Sequence, residues 1–76
     1  MDYNQLYELF SNNKVIHFKL YSLEYNIEEE NNKVVIYANY YKKNKRYFNS
    51  FEELMNNFNI YNEPLINQLN RIKVLD

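Results

Sequence analysis

The sequence predicts an α+β domain, a small antiparallel sheet covered on one face by helices. Residues 14–41 hold three short apolar-alternating runs whose apolar faces agree when the runs are paired. Segments on either side of that meander are apolar at helical spacing. At 76 residues the chain is long enough for one domain and too short for two. A chain of this size buries only roughly 60–65% of its unfolded surface, so its stability margin is thin.

Residues 2–11 read as the first helix. Tyr3, Leu6, Tyr7 and Phe10 recur at helical spacing, with Leu9 beside them. Asp2 is placed to cap it, with Gln5 at the reciprocal capping-box position. Asn12-Asn13 is expected to end it.

The meander follows. Asn31-Asn32 suits a two-residue type I′ turn, because Asn tolerates positive φ. Counting outward, Glu29 faces Val34, Ile27 faces Ile36, Tyr25 faces Ala38 and Leu23 faces Tyr40. A second turn at Tyr21-Ser22 sets Leu20 opposite Leu23, Phe18 opposite Tyr25 and Ile16 opposite Ile27, although Tyr-Ser is poor primed-turn chemistry. Both hairpins then put Ile16, Phe18, Leu20, Leu23, Tyr25, Ile27, Val34, Ile36 and Ala38 on one side. A slip of one residue in either hairpin would turn a whole strand over, so this agreement fixes the register.

The basic run after the third strand predicts a hairpin tip. A three-residue loop at Lys43-Asn44-Lys45 pairs Tyr40 with Phe48 and turns Phe48 inward; a two-residue loop would bury Tyr47 instead, at greater cost. Ser50 and Glu53 form a capping box for the next helix, whose stripe is Phe51, Leu54, Met55 and Phe58. Asn59 is expected as its left-handed stop. A loop at Ile60-Tyr61-Asn62 is expected to expose two apolar side chains. Pro64 opens a third, short helix carrying Leu65, Ile66, Leu69 and Ile72. The end at Val74-Leu75 suits a strand edge or a docked tail. The order α-β-β-β-β-α-α makes residues 1–76 a single domain.

Composition narrows the function. The chain has no cysteine, so it has neither disulfides nor thiolate metal sites, which suits a reducing, cytoplasmic setting. It shows no signal-peptide pattern and no apolar run of membrane-spanning length, and no membrane partner is expected. A net charge of −1 disfavours both a strongly basic nucleic-acid binder and an acidic DNA mimic. Asn occurs fifteen times, whereas Gly, Ala, Pro and Arg together occur four times, the bias of an AT-rich genome. The single histidine, His17, has no nucleophile beside it, and each of the three serines has a structural explanation. With no glycine for a phosphate loop, the chain does not read as an enzyme, and no cofactor is expected. Glu24, Glu28 and Glu30 line one side of the second strand without metal-loop spacing, so no metal site is expected either.

The sharpest feature is the basic, tyrosine-flanked run. Tyr37, Tyr41, Lys42, Lys43, Lys45, Arg46 and Tyr47 are the candidate partner-binding residues. Exposed Tyr beside Arg and Lys is the composition of interface anchors, which makes a protein the first expectation for the partner. The same interleaving of cations and rings suits nucleic acid, the second expectation. Self-association through the same face is a variant of the first. The opposing bland reading is a solvated tip whose charge guards a sheet edge.

The phrase from Tyr47 to Phe58, Tyr-Phe-Asn-Ser-Phe-Glu-Glu-Leu-Met-Asn-Asn-Phe, resembles one common in small proteins of AT-rich Firmicutes and their phages. In size and composition the chain is also similar to phage-encoded anti-defence proteins, including anti-CRISPR inhibitors. That resemblance implies a non-enzymatic inhibitor or regulator that blocks a partner protein's surface. It carries over no functional residue, because the class has no shared motif.

Overall fold

The computed structural model describes residues 1–75. The chain runs through α1 (Tyr3–Asn13), β1 (Val15–Leu20), β2 (Leu23–Glu30), β3 (Lys33–Ala38), β4 (Tyr41–Phe48) and α2 (Phe51–Asn57). It then forms a small hairpin, β5 (Asn59–Ile60) with β6 (Glu63–Pro64), a 3-10 helix (Leu65–Arg71) and β7 (Lys73–Val74). The main sheet has five antiparallel strands in the order β4-β3-β2-β1-β7. The tail therefore joins the sheet, pairing Val74 with Phe18 and Lys73 with Lys19.

The meander takes the expected register. Ile16 pairs with Ile27, Phe18 with Tyr25 and Leu20 with Leu23. Across the second hairpin Ile27 pairs with Ile36 and Tyr25 with Ala38. Ile16, Phe18, Leu20, Tyr25, Ile27, Val34 and Ile36 are buried together with Leu6 and Phe10 of α1 and Phe51, Leu54 and Met55 of α2. Phe48, Ile60, Leu65 and Ile72 close the same core.

The third hairpin differs from the expected one. β3 ends at Ala38, and Asn39-Tyr40 forms the turn, so Tyr40 does not face Leu23. Ala38 pairs with Tyr41, Ile36 with Arg46 and Val34 with Phe48. Lys42, Lys43, Asn44 and Lys45 thus lie against Tyr37 alone, as a wide bulge in a long edge strand. Neither Asn39 nor Tyr40 takes positive φ. An unprimed two-residue turn splays its strands, and the bulge lets β4 return to register. Phe48 is buried, as expected, but the basic run is an edge strand and not a hairpin tip.

The helix ends obey local chemistry, with four changes. Asp2 accepts from the Gln5 amide and donates its own amide to Gln5 Oε1, both at 2.9 Å. α1 continues through Asn12-Asn13, and Lys14 at φ 61° is its left-handed end. Ser50 Oγ accepts from the Glu53 amide at 3.0 Å, while Glu53 reaches back to the Asn49 amide rather than to Ser50. Asn59 is extended and not a left-handed stop; that geometry moves to Tyr61-Asn62, the turn of the β5–β6 hairpin. Pro64 ends β6 and precedes the 3-10 helix.

A chain with no glycine must place side chains at every positive φ. Lys14, Tyr21, Asn31, Asn32, Tyr61 and Asn62 occupy these positions. Left-handed backbone is costly for residues other than Gly and, to a lesser degree, Asn. Lys14→Gly is therefore expected to stabilise the fold by about 0.5–1 kcal/mol, read as a higher urea midpoint. The Lys14–Glu29 pair lost with it spans 3.9 Å between exposed groups and contributes little.

Gln68 is the one fully buried polar side chain among the described residues. Its Nε2 donates to the carbonyls of Ile60 and Glu63, both at 2.9 Å, and its Oε1 accepts from the Tyr21 hydroxyl at 3.1 Å. It ties the small hairpin to the 3-10 helix and to the β1–β2 turn.

Candidate functional site

β-strand alternation splits the predicted residues between the two sheet faces. Tyr37, Lys45 and Tyr47 lie on the face that carries no helix, and there they meet the glutamates of β2. The Tyr37 hydroxyl donates to Glu28 at 2.5 Å. Lys45 Nζ donates to Glu30 Oε2 at 3.3 Å, and the Tyr47 hydroxyl donates to Glu30 Oε1 at 3.2 Å. Both side chains cross β3 to reach β2, and Lys45 passes 5.5 Å from the Tyr37 ring centre. This lattice covers Val35, which is fully buried on a face without helices. Asn26, also buried, donates to Asn39, and Asn39 donates to Glu24 at 3.1 Å. The acidic strand is thus spent on the sheet's own cations and hydroxyls.

The electrostatics follow that geometry. The hydrogen bond to Glu28 pushes the Tyr37 phenol up to about 12, because ionising it would destroy the bond beside a carboxylate. The Glu30 carboxylate likewise holds the Lys45 ammonium above its ordinary range. A phenol raised on folding contributes stability that is complete below its unfolded value near 10 and is lost as pH rises to about 12. Tyr37→Phe is expected to be less stable near neutral pH and to show a shallower loss between pH 10 and 12. Denaturant melts along that pH series, with absorbance titration of the tyrosines, check it.

Tyr41 and Arg46 lie toward the other face, where Phe58 and the small hairpin flank the sheet edge. They line a cleft of about 400 Å³ with Tyr25, Tyr40, Phe58 and Tyr61 among its walls. The Arg46 guanidinium sits 6.0 Å from the Phe58 ring centre. Tyr61 packs edge-on against Tyr21 at 5.0 Å, and both rings project from left-handed turn residues. Burial pushes the Tyr25 phenol above its ordinary value, with the neighbouring Tyr40 and Tyr61 hydroxyls adding to the effect. Tyr40 is 71% exposed, Tyr61 68% and Tyr41 57%, so most of this aromatic wall faces solvent. No carboxylate or imidazole lines the cleft.

Lys42 and Lys43, in the bulge beside Tyr41, form no ion pair among the described residues. The seven predicted residues therefore do not form one patch. Tyr37, Tyr41 and Arg46 line the cleft, Lys42 and Lys43 follow Tyr41 in the bulge, and Lys45 and Tyr47 are held on the opposite face. The sequence reading missed Tyr40, which it had placed in a strand, and did not join Tyr61 to the basic run. Of the two apolar side chains expected to be exposed in the 60–62 loop, Tyr61 is and Ile60 is buried.

The cleft offers ring faces and one guanidinium, and Lys42 and Lys43 lie in the adjoining bulge. Among the described residues no three of His, Cys, Asp and Glu are grouped to hold a metal ion, and no helix is long and apolar enough to cross a membrane. Comparison with protein-family models, with curated proteins and with solved structures finds no match to this chain.

Proposed function

We propose that this chain is a non-enzymatic binding protein that occupies a partner protein's surface through the tyrosine cleft at the β4 edge. The observation that carries this reading is the cluster of Tyr40, Tyr41 and Tyr61, more than half exposed, around Arg46. A domain with a thin stability margin leaves these rings in water at one end, while its other sheet face satisfies its own charges. Tyr and Arg are the side chains that most often dominate interface energies, since each combines large contact area with a polar tip. A small inhibitor or regulator of the kind carried by phages and mobile elements works in this way, by covering a surface.

Nucleic acid is the weaker reading, because Glu30 neutralises Lys45 and leaves few cations for phosphates. The test is capture of partners from host lysate with and without nuclease, repeated with Tyr41→Ala/Tyr61→Ala. A protein retained after nuclease treatment by the parent, and lost by about tenfold or more in the double variant, is the expected result. Retention that vanishes with nuclease, or that ignores both tyrosines, overturns the proposal. Both rings are exposed, so the variant keeps its fold, as circular dichroism will show.

A further inference from the structure

We propose that the cleft and the outer edge of β4 receive an acidic, extended segment of the partner protein. The inference rests on the binding role just assigned and names the chemistry of what docks.

Three observations point to it. β4 ends the sheet, so one side of this eight-residue strand has no neighbouring strand. An extended chain can lie along such an edge, exchanging main-chain hydrogen bonds and setting alternate side chains into a neighbouring pocket. Tyr41, Asn44 and Arg46 of that strand line the cleft, with further aromatic and aliphatic side chains and Asn59 in its walls. The charges around it have one sign: Arg46 in the wall, Lys42 and Lys43 in the bulge, and no lining carboxylate. A segment alternating acidic and apolar side chains matches this arrangement, with its carboxylates against the three cations and its apolar groups against Tyr41 and Tyr61.

The same charges disfavour a second copy of the chain as the occupant. Antiparallel pairing of two β4 edges about their middle would set Lys43 of each copy against Arg46 of the other. Like charges facing one another across strands are destabilising, which is how edge strands avoid pairing with themselves.

The test uses the whole protein and two synthetic peptides of about ten residues, one alternating Glu with Leu, the other Lys with Leu. NMR follows the ring signals of Tyr40, Tyr41 and Tyr61 and the β4 amides. The Glu peptide is expected to shift these signals and slow exchange of the β4 amides. Its affinity should fall about tenfold or more in Lys42→Gln/Lys43→Gln/Arg46→Gln, and the Lys peptide should be inert. Equal response to both peptides, response to neither, or undiminished affinity in the triple variant overturns the proposal. So does a response to oligothymidylate without one to the Glu peptide, or the same shifts arising from protein concentration alone. If a lysate protein is retained through Tyr41 and Tyr61 while the Glu peptide is ignored, the binding role stands and the acidic segment falls.

Discussion

Gln68→Leu is expected to destabilise the domain by about 2–4 kcal/mol. The change keeps bulk at a position with no solvent exposure and removes both donors from the Ile60 and Glu63 carbonyls. The bond to Ile60 is fully buried, so that carbonyl would lose its partner without gaining water. Tyr21 is 47% exposed and can turn its hydroxyl to solvent, so Tyr21→Phe should cost only about 0.5–1 kcal/mol. Against a whole-domain stability of about 4–11 kcal/mol, a loss of about 4 kcal/mol removes roughly a third or more of the total. Gln68→Glu separates donor chemistry from volume. Near neutral pH its carboxylate would face two carbonyl oxygens and cost more than Leu. Protonation restores one donor, so its stability should recover as pH falls, the sign expected for a carboxyl whose pKa is raised by folding. Urea melts of the three variants across pH measure this. A Gln68→Leu loss below about 1 kcal/mol would sink the claim that this amide holds the C-terminal third together.

That role was not legible in the sequence, and the reason is physical. Gln68 bonds to backbone carbonyls of a hairpin that exists only once the core has formed, and nothing local marks a glutamine as buried. The meander was legible for the opposite reason. Its register must satisfy two hairpins at once, and only one pairing places Ile16, Phe18, Tyr25, Ile27 and Ile36 on a common face. The edge strand fell between these cases. Lys43-Asn44-Lys45 looks like a tip to any local rule, whereas Asn39-Tyr40 lacks the positive φ that marks a tight hairpin. The pairing of β4 holds Val34 against Phe48 and Val35 against Tyr47, a register that neither candidate turn specifies locally. Misplacing the turn by a few residues put Lys45 and Tyr47 in the same patch as Arg46, although Glu30 holds them on the other side of the sheet.

Phe51→Ala carries the other large expected effect, a loss of about 3–5 kcal/mol. Phe51 is the first residue of α2 and is 3% exposed. Its ring meets Phe10 in a near-parallel stack at 5.0 Å and Tyr3 and Tyr7 in tilted contacts at 5.9 Å. Three of those rings belong to α1, so this one side chain joins the N-terminal helix to the helix that follows the sheet. Removing it opens a cavity that the capped starts of both helices resist closing, because Asp2 and Ser50 fix where each begins. Phe51→Leu keeps much of the volume and loses the ring contacts, and should cost about 1–1.5 kcal/mol. Tyr7→Ala, at a ring 47% exposed, should cost about 0.5–1 kcal/mol. Thermal and urea melts rank the three; Phe51→Ala at or below the cost of Tyr7→Ala would mean that the helices are joined elsewhere. The residues around Phe51 and those lining the tyrosine cleft share no member. Phe51→Leu should therefore lower stability while leaving partner capture unchanged, and Tyr41→Ala/Tyr61→Ala should do the reverse. A binding loss in Phe51→Leu under conditions where it is folded would place the functional surface at the wrong end of the molecule.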